Sequence, residues 1–163
     1  MKKLLCLLLC LLMLCTVACA EEEEGTREAV TAPAIENPQD VLLDVVNLYI
    51  NLPADWTQAE TPENYIAVYR SADETCTLSV LLGQSLSACH ALIVEQEEAG
   101  TAANVAEKTI NDLYYLTYQS TDGLYAFAYL PITESNCIIF CCALPEAGAP
   151  LDLFHQILGS LHR

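Results

Sequence analysis

Cys137-Ile138-Ile139-Phe140-Cys141-Cys142 has no polar side chain in either of its two alternating sets. Its isoleucine pair and phenylalanine predict a strand, and neighbouring side chains of a strand point to opposite faces. Both faces of this strand must therefore be kept from water, which requires a sheet with a layer packed on each side. The rest of the chain can be read for the two covers.

Working back from this segment, residues 124–132 alternate cleanly. Tyr125, Phe127 and Tyr129 fall on one face, and Leu124, Ala126, Ala128 and Leu130 on the other. The turn residues Thr121-Asp122-Gly123 separate it from a strand over 113–119, and Asn111-Asp112 separates that from a strand over 105–110. Asn and Asp tolerate the positive φ that a two-residue hairpin turn needs. Further back, residues 85–99 read as a helix: Leu86, Cys89 and Ile93 lie at helical spacing, Ser85 or Ser87 can cap, and Gly100 suits the residue past the end. Glu95, Glu97 and Glu98 crowd its last turns, where the helix dipole disfavours negative charge.

Three shorter runs precede this helix, namely Leu48 to Leu52, Tyr65 to Tyr69, and Cys76 to Leu82 with Cys76, Leu78, Val80 and Leu82 on one face. Residues 41–46 fit a helical turn as well as a strand. At the other end Pro150 opens a second helix, with Leu151, Phe154, Ile157, Leu158 and Leu161 as its apolar stripe. Asp152 near its start and His162 and Arg163 at its end suit the dipole. The sum is an α+β chain: an antiparallel sheet of six or seven strands, a helix inserted midway and another at the end. If the helices cover opposite faces, the result is an α/β/α sandwich.

The first forty residues have another character. Met1-Lys2-Lys3 leads into an apolar run over 4–17, then Ala18-Cys19-Ala20 and a run of four glutamates. The run is short for a membrane span and matches an export signal over residues 1–20. Cleavage after Ala20 would free the protein. Alternatively Thr16-Val17-Ala18-Cys19 resembles a lipobox, in which Cys19 is acylated and becomes the new N-terminus; Thr16 departs from the usual Leu there. Residues 21–40, acidic and carrying Pro33 and Pro38, read as a flexible tether, and residues 41–163 as the single domain. The expected location is extracytoplasmic, lipid-anchored or secreted, with membrane contact only through the lipid.

The chain has 163 residues, 22 acidic and 6 basic side chains and nine cysteines. Without residues 1–20 it keeps four basic against 22 acidic, a net of −18. A field of that sign repels phosphate backbones and excludes nucleic-acid binding through a basic patch. A cationic partner, a divalent cation or plain solubility fits it. Of the cysteines, Cys76, Cys89, Cys137, Cys141 and Cys142 would remain. They are odd in number, lack a CxxC and sit among apolar residues, so mostly reduced, buried thiols are expected.

Catalytic chemistry has little to build on. His90, His155 and His162 are the only histidines. His155 follows Asp152 by three residues on a helix, which suits an exposed ion pair better than a dyad. Cys89 and His90 are adjacent, so a helix turns their side chains apart. No HExxH or DxDxDG pattern occurs, and the six glycines make no phosphate loop. No cofactor, metal site or catalytic residue is expected. The aromatic face of Tyr125, Phe127 and Tyr129 is the candidate binding surface, with cross-strand packing beneath a helix as the alternative; Tyr114 and Tyr118 share a second strand face.

Three phrases carry a resemblance to a known family: Tyr49-Ile50-Asn51-Leu52-Pro53-Ala54-Asp55-Trp56, Thr109-Ile110-Asn111-Asp112-Leu113-Tyr114-Tyr115-Leu116, and Phe154-His155-Gln156-Ile157-Leu158-Gly159-Ser160-Leu161. Together with the element order they resemble the PsbP-like fold family, small exported or lipid-anchored domains with an antiparallel sheet between helices. That family includes photosynthetic accessory subunits, a nuclear transport factor and many bacterial lipoproteins, and shares no catalytic residue. The resemblance implies a non-enzymatic binding or accessory role toward a protein, peptide or small ligand. The alternative is a hydrolase or thiol enzyme using His155 or a free cysteine.

Overall fold

The computed structural model describes residues 27–163. Residues 1–26, with the expected export signal, Cys19 and the four-glutamate run, lie outside them. In chain order the first elements are β1 (Glu28–Val30), β2 (Pro38–Leu43), β3 (Leu48–Pro53), β4 (Thr57–Gln58), β5 (Tyr65–Arg70) and β6 (Thr77–Gly83). Then come α1 (Leu86–Glu98), β7 (Ala102–Ile110), β8 (Leu113–Ser120), β9 (Tyr125–Pro131), β10 (Cys137–Ala143) and α2 (Asp152–Gly159).

The two-faced apolar strand is β10. It lies between β9 and β6, antiparallel to both and in register along its whole length. Ile138, Phe140 and Cys142 point into a core closed by Phe154, Ile157 and Leu158 of α2. Cys137 and Ile139 point the other way, against Cys89 and Ile93 of α1. The two helices therefore sit on opposite faces, as the strand requires.

The main sheet has eight strands in the order β1-β7-β8-β9-β10-β6-β5-β4, where the sequence reading counts six or seven. The additions are the short edge strands β1 and β4. The run ending at Leu52 is a strand, yet it belongs to a separate hairpin, β2–β3. Val41 and Leu42 are strand rather than helix, and the chain turns over 44–47 with Asn47 at φ 51°. This hairpin buries Leu43, Ile50 and Leu52 in the α2 core and so forms part of that cover. It is tied to the C-terminus by Tyr49 N–H to His162 O at 2.8 Å, the return bond at 3.1 Å, and Asn51 N–H to Ser160 Oγ at 2.8 Å.

Order reaches into the segment read as a flexible tether. Within 27–40, β1 pairs parallel to β7, β2 begins at Pro38, and Ala32 and Ile35 are buried. Charge and amide contacts far along the chain outweigh the local composition. Lys108 Nζ meets Glu28 at 2.9 Å, and Arg27 meets Glu107 at 3.2 Å while lying over the Tyr114 ring. Asn111 accepts from Ala32 N–H and donates to Ala32 O and Gly159 O, at 3.1, 3.1 and 3.2 Å. Asn111 and Asp112, at φ 45° and 69°, supply the left-handed pair that turns β7 into β8.

Ser85 caps α1 by accepting from Ala88 N–H, and Ala99 ends it with Gly100 in the left-handed region. α2 starts with Asp152 but ends at Gly159, so His162 and Arg163 lie beyond the helix; its last turn carries no basic residue. His162 instead stacks on Tyr49.

Two substitutions probe the closed core. Phe140→Ala empties a fully buried site and lowers unfolding free energy by about 3–5 kcal/mol. Tyr115→Phe removes only the hydroxyl that donates to Leu158 O at 2.8 Å, and lowers it by about 1–2 kcal/mol. Urea titration of each variant measures both.

Candidate binding groove

The α1 face of the sheet is incompletely covered. α1 buries Cys89 and Ile93 against Cys137, Leu116, Tyr118 and Tyr129, leaving the rest of that face to aromatic side chains. Tyr118 on β8 stands opposite Phe127 on β9, and their rings stack at 4.4 Å. Tyr129 lies 6.0 Å from Tyr118, and Tyr125 tilts against Phe127 at 6.4 Å. Tyr125, Phe127 and Tyr129 thus share a face, but with graded exposure: Tyr129 is buried, Phe127 half-buried and Tyr125 open to water. Burial raises the Tyr118 and Tyr129 phenols above their ordinary range, so both are neutral hydrogen-bond donors at physiological pH.

Beside Tyr129 an open groove of about 550 Å³ runs between α1 and the C-terminal end of β6. Its floor is Tyr129, Ile139, Cys89 and Gly83, its wall includes Leu92 and Glu95 of α1, and Leu82 joins the lining where β6 ends. Leu82 and Leu92 are 48% and 47% exposed, large apolar side chains lacking a cover. Gly83 allows the floor to lie this close: a Cβ there would come within 2.7 Å of Cys137 Sγ and 2.8 Å of Ile139 Cδ1. Leu82 continues in phase with Leu78 and Val80 but emerges past the end of the core those two enter.

A second hollow, about 720 Å³, lies at the same end of the sheet and shares Leu82. Val45, Ile132, Leu130 and Leu161 line its apolar part, and Asn136, His162 and Arg163 its polar part. His162 is held there by Tyr49, by Ser160 O at 2.8 Å and by Asp40 at 3.5 Å.

The other predicted chemistry is dispersed. His90 is exposed on α1, and His155 is half-buried on α2 beside a small hollow with Asp152, Val30 and Pro33. The ion pairs among the described residues are those of Arg27, Lys108 and His162, so Asp152 and His155 form none. All five described cysteines are free thiols. Burial pushes Cys141 up to about 11 and Cys142 and Cys137 up to about 12, which keeps them protonated. Glu95, Glu97 and Glu98 are exposed and, among the described residues, join no converging set of metal-ligating side chains.

The groove itself was missed by sequence reasoning. Its one signal was Leu92, an apolar residue outside the Leu86–Cys89–Ile93 stripe of α1.

Comparison with solved structures shows a PsbP-like fold. The solution structure of cyanobacterial PsbP (CyanoP) from Synechocystis sp. PCC 6803 superposes with a TM-score of 0.55 at 15% identity, covering 79% of this chain and 94% of that one. A crystal structure from Bacteroides thetaiotaomicron VPI-5482 gives 0.48 at 16% identity, covering 71% of this chain and 44% of that one. No family model and no curated protein matches the sequence.

His155 offers a signature of its surroundings. Burial chiefly, and Lys108 next, hold its imidazole below the ordinary value. The unfolded chain takes up that proton near pH 6.5 while the folded one resists it, so His155 costs no stability at pH 7 and weakens folding as pH falls below about 6.5. Glu28 is lowered chiefly by its Lys108 hydrogen bond, and Asp73 and Asp122 chiefly by serine hydroxyls. Their contribution is present above the unfolded carboxylate range and is lost only below about pH 4.5. Urea midpoints at pH 7, 6 and 5 should therefore decline, and His155→Gln should flatten that decline.

Proposed function

We propose that this protein is a non-enzymatic accessory module working outside the cytoplasm, anchored by a lipid on Cys19, and that it holds an apolar, basic segment of a partner protein in the groove beside α1. The observation that carries the reading is Leu92, a large leucine about half exposed on α1 beside an open apolar channel, with the equally exposed Leu82 at the end of β6 also in its lining. Burying the exposed half of such a side chain is worth about 1 kcal/mol. The wall at Glu95, the neighbouring Glu97 and Glu98, and the net charge of −18 left once the residues before Cys19 are removed favour a cationic guest and speed its approach. The PsbP-like resemblance agrees with an accessory role.

The alternative, a hydrolase or thiol enzyme, has weaker support. Cys137, Cys141 and Cys142 are protonated by burial, and the half-buried His155 lies on the opposite helix from Cys89. A nucleophile and its base need hydrogen-bond contact to work together.

Fluorescence anisotropy with a short amphipathic Leu/Lys peptide, and a Leu/Glu peptide of equal length as control, tests the binding reading. The Leu/Lys peptide should bind and be recovered uncleaved, the Leu/Glu peptide should not bind, and Leu82→Asp with Leu92→Asp should weaken binding by at least about tenfold. Equal binding of both peptides, or indifference to the double substitution, rejects it. Intact mass of the protein from bacterial membranes tests the anchor: the expected product begins at an acylated Cys19, whereas an unmodified chain beginning at Glu21 rejects it.

A further inference from the structure

We infer that Cys89 and Cys137 are the two halves of a latent disulfide, closed by exchange with an oxidising small-molecule or protein disulfide, that fastens α1 to the centre of the sheet. The inference holds whatever the groove binds. It rests on the contact between the two sulfurs, 3.4 Å apart in a buried position, and on the rigidity of what carries them. Cys89 lies in the first turn of α1, its N–H bonded to Ser85 O at 3.0 Å and the helix start fixed by the Ser85 cap. Cys137 is the first residue of β10, paired on one side with Gly83 and on the other with Pro131. The bare Gly83 leaves the Cys137 sulfur its place, since a Cβ there would lie 2.7 Å away.

Geometry removes the competing pairings. Cys142 faces the α2 core, and Cys76 packs against that same core, so the sheet separates both from Cys89. Cys141 shares the face of Cys137 but lies four residues along the same strand, roughly 13 Å away, beyond disulfide reach of the Cys137 position. Among the described cysteines, Cys137 is therefore the one within reach of Cys89.

The groove provides the entrance, because Cys89 is part of its floor. The Cys89 sulfur, on losing its proton, attacks one sulfur of the oxidant R–S–S–R. A mixed disulfide forms and one R–S⁻ leaves, taking up that proton. The Cys137 sulfur then attacks the Cys89 sulfur; the protein disulfide forms and the second R–S⁻ leaves with the Cys137 proton. Two electrons pass to the oxidant, and two protein thiols become one disulfide while R–S–S–R becomes two thiols. Because burial holds the Cys137 thiol up to about 12, the second step is slow and accelerates as pH rises. The bond spans 48 positions and constrains the unfolded chain, which should raise Tm by roughly 10 °C.

The test is to reduce the full chain, incubate it with oxidised glutathione at pH 7 and pH 9, unfold it in acid, alkylate and map the peptides by mass. The expected product is a linked Cys89–Cys137 peptide pair, two hydrogens lighter than the free peptides, forming faster at pH 9, with Cys141 alkylated. Wild-type Tm should rise with it and return on adding reductant. Cys137→Ala and Cys89→Ala should each lose the linkage and the shift, whereas Cys141→Ala should keep both. Failure to form the linked pair, a glutathione adduct on Cys89 beside an alkylated Cys137, pairing of Cys89 or Cys137 with any other cysteine, or a lower Tm after closure each overturns the inference.

Discussion

A central strand with no polar face imposes two covers on this fold, and the covers are unequal. Ile138, Phe140 and Cys142 meet α2 and the β2–β3 hairpin, with Trp56 completing a closed core. The small Ala126 and Ala128 on β9 face the same way and leave room for that double layer. The opposite face has α1 alone. A helix of 13 residues is roughly 20 Å long and 10 Å wide, while eight strands span roughly 34 Å. One helix cannot cover that width. The uncovered remainder is handled in two ways: stacked aromatic rings beside α1, and an open apolar channel toward β6.

The sequence made directions legible and left covers obscure. Period-two alternation placed Ile138 and Phe140 on one face and Cys137 and Ile139 on the other, and the Asn111-Asp112 pair announced its hairpin because few residues accept two positive φ angles in succession. Ser85 and Gly100 bounded α1 for equally local reasons. By contrast, alternation along 48–52 could not say which sheet the strand joins, since the pattern reports faces and not neighbours. Leu82 shows the same limit. It keeps phase with Leu78 and Val80, yet its exposure is decided by where the hairpin and α2 end.

The ordering of β1 was illegible for a different reason. Its composition is that of a solvated tether, and nothing local opposes that reading. What orders it comes from about eighty positions away: Lys108 on Glu28, Glu107 on Arg27, and the Asn111 amide gripping Ala32 at both backbone atoms. Exposed ion pairs of this kind are individually weak. The Asn111 amide adds directional bonds to them, and the burial of Ala32 and Ile35 adds apolar area. Glu28 and Glu107 also neutralise two of the few cations in the chain, which sharpens the negative sign of the surface elsewhere.

That sign bears on the least favourable feature of α1. Three glutamates near its C-terminal end oppose the helix dipole, at a cost of some tenths of a kcal/mol each. The helix tolerates them because Cys89 and Ile93 are anchored in the sheet and Thr101 N–H returns to Gln96 O at 2.9 Å. An acidic end is therefore held in place by packing and not by helix propensity. It stands beside the channel whose floor contains Cys89, so the contact that fixes the helix also fixes the distance between the acidic wall and the sheet residues Tyr129 and Ile139. The position of α1 links the stability of this face to its binding properties: loosening the Cys89–Cys137 contact would widen the channel and move its charge at the same time.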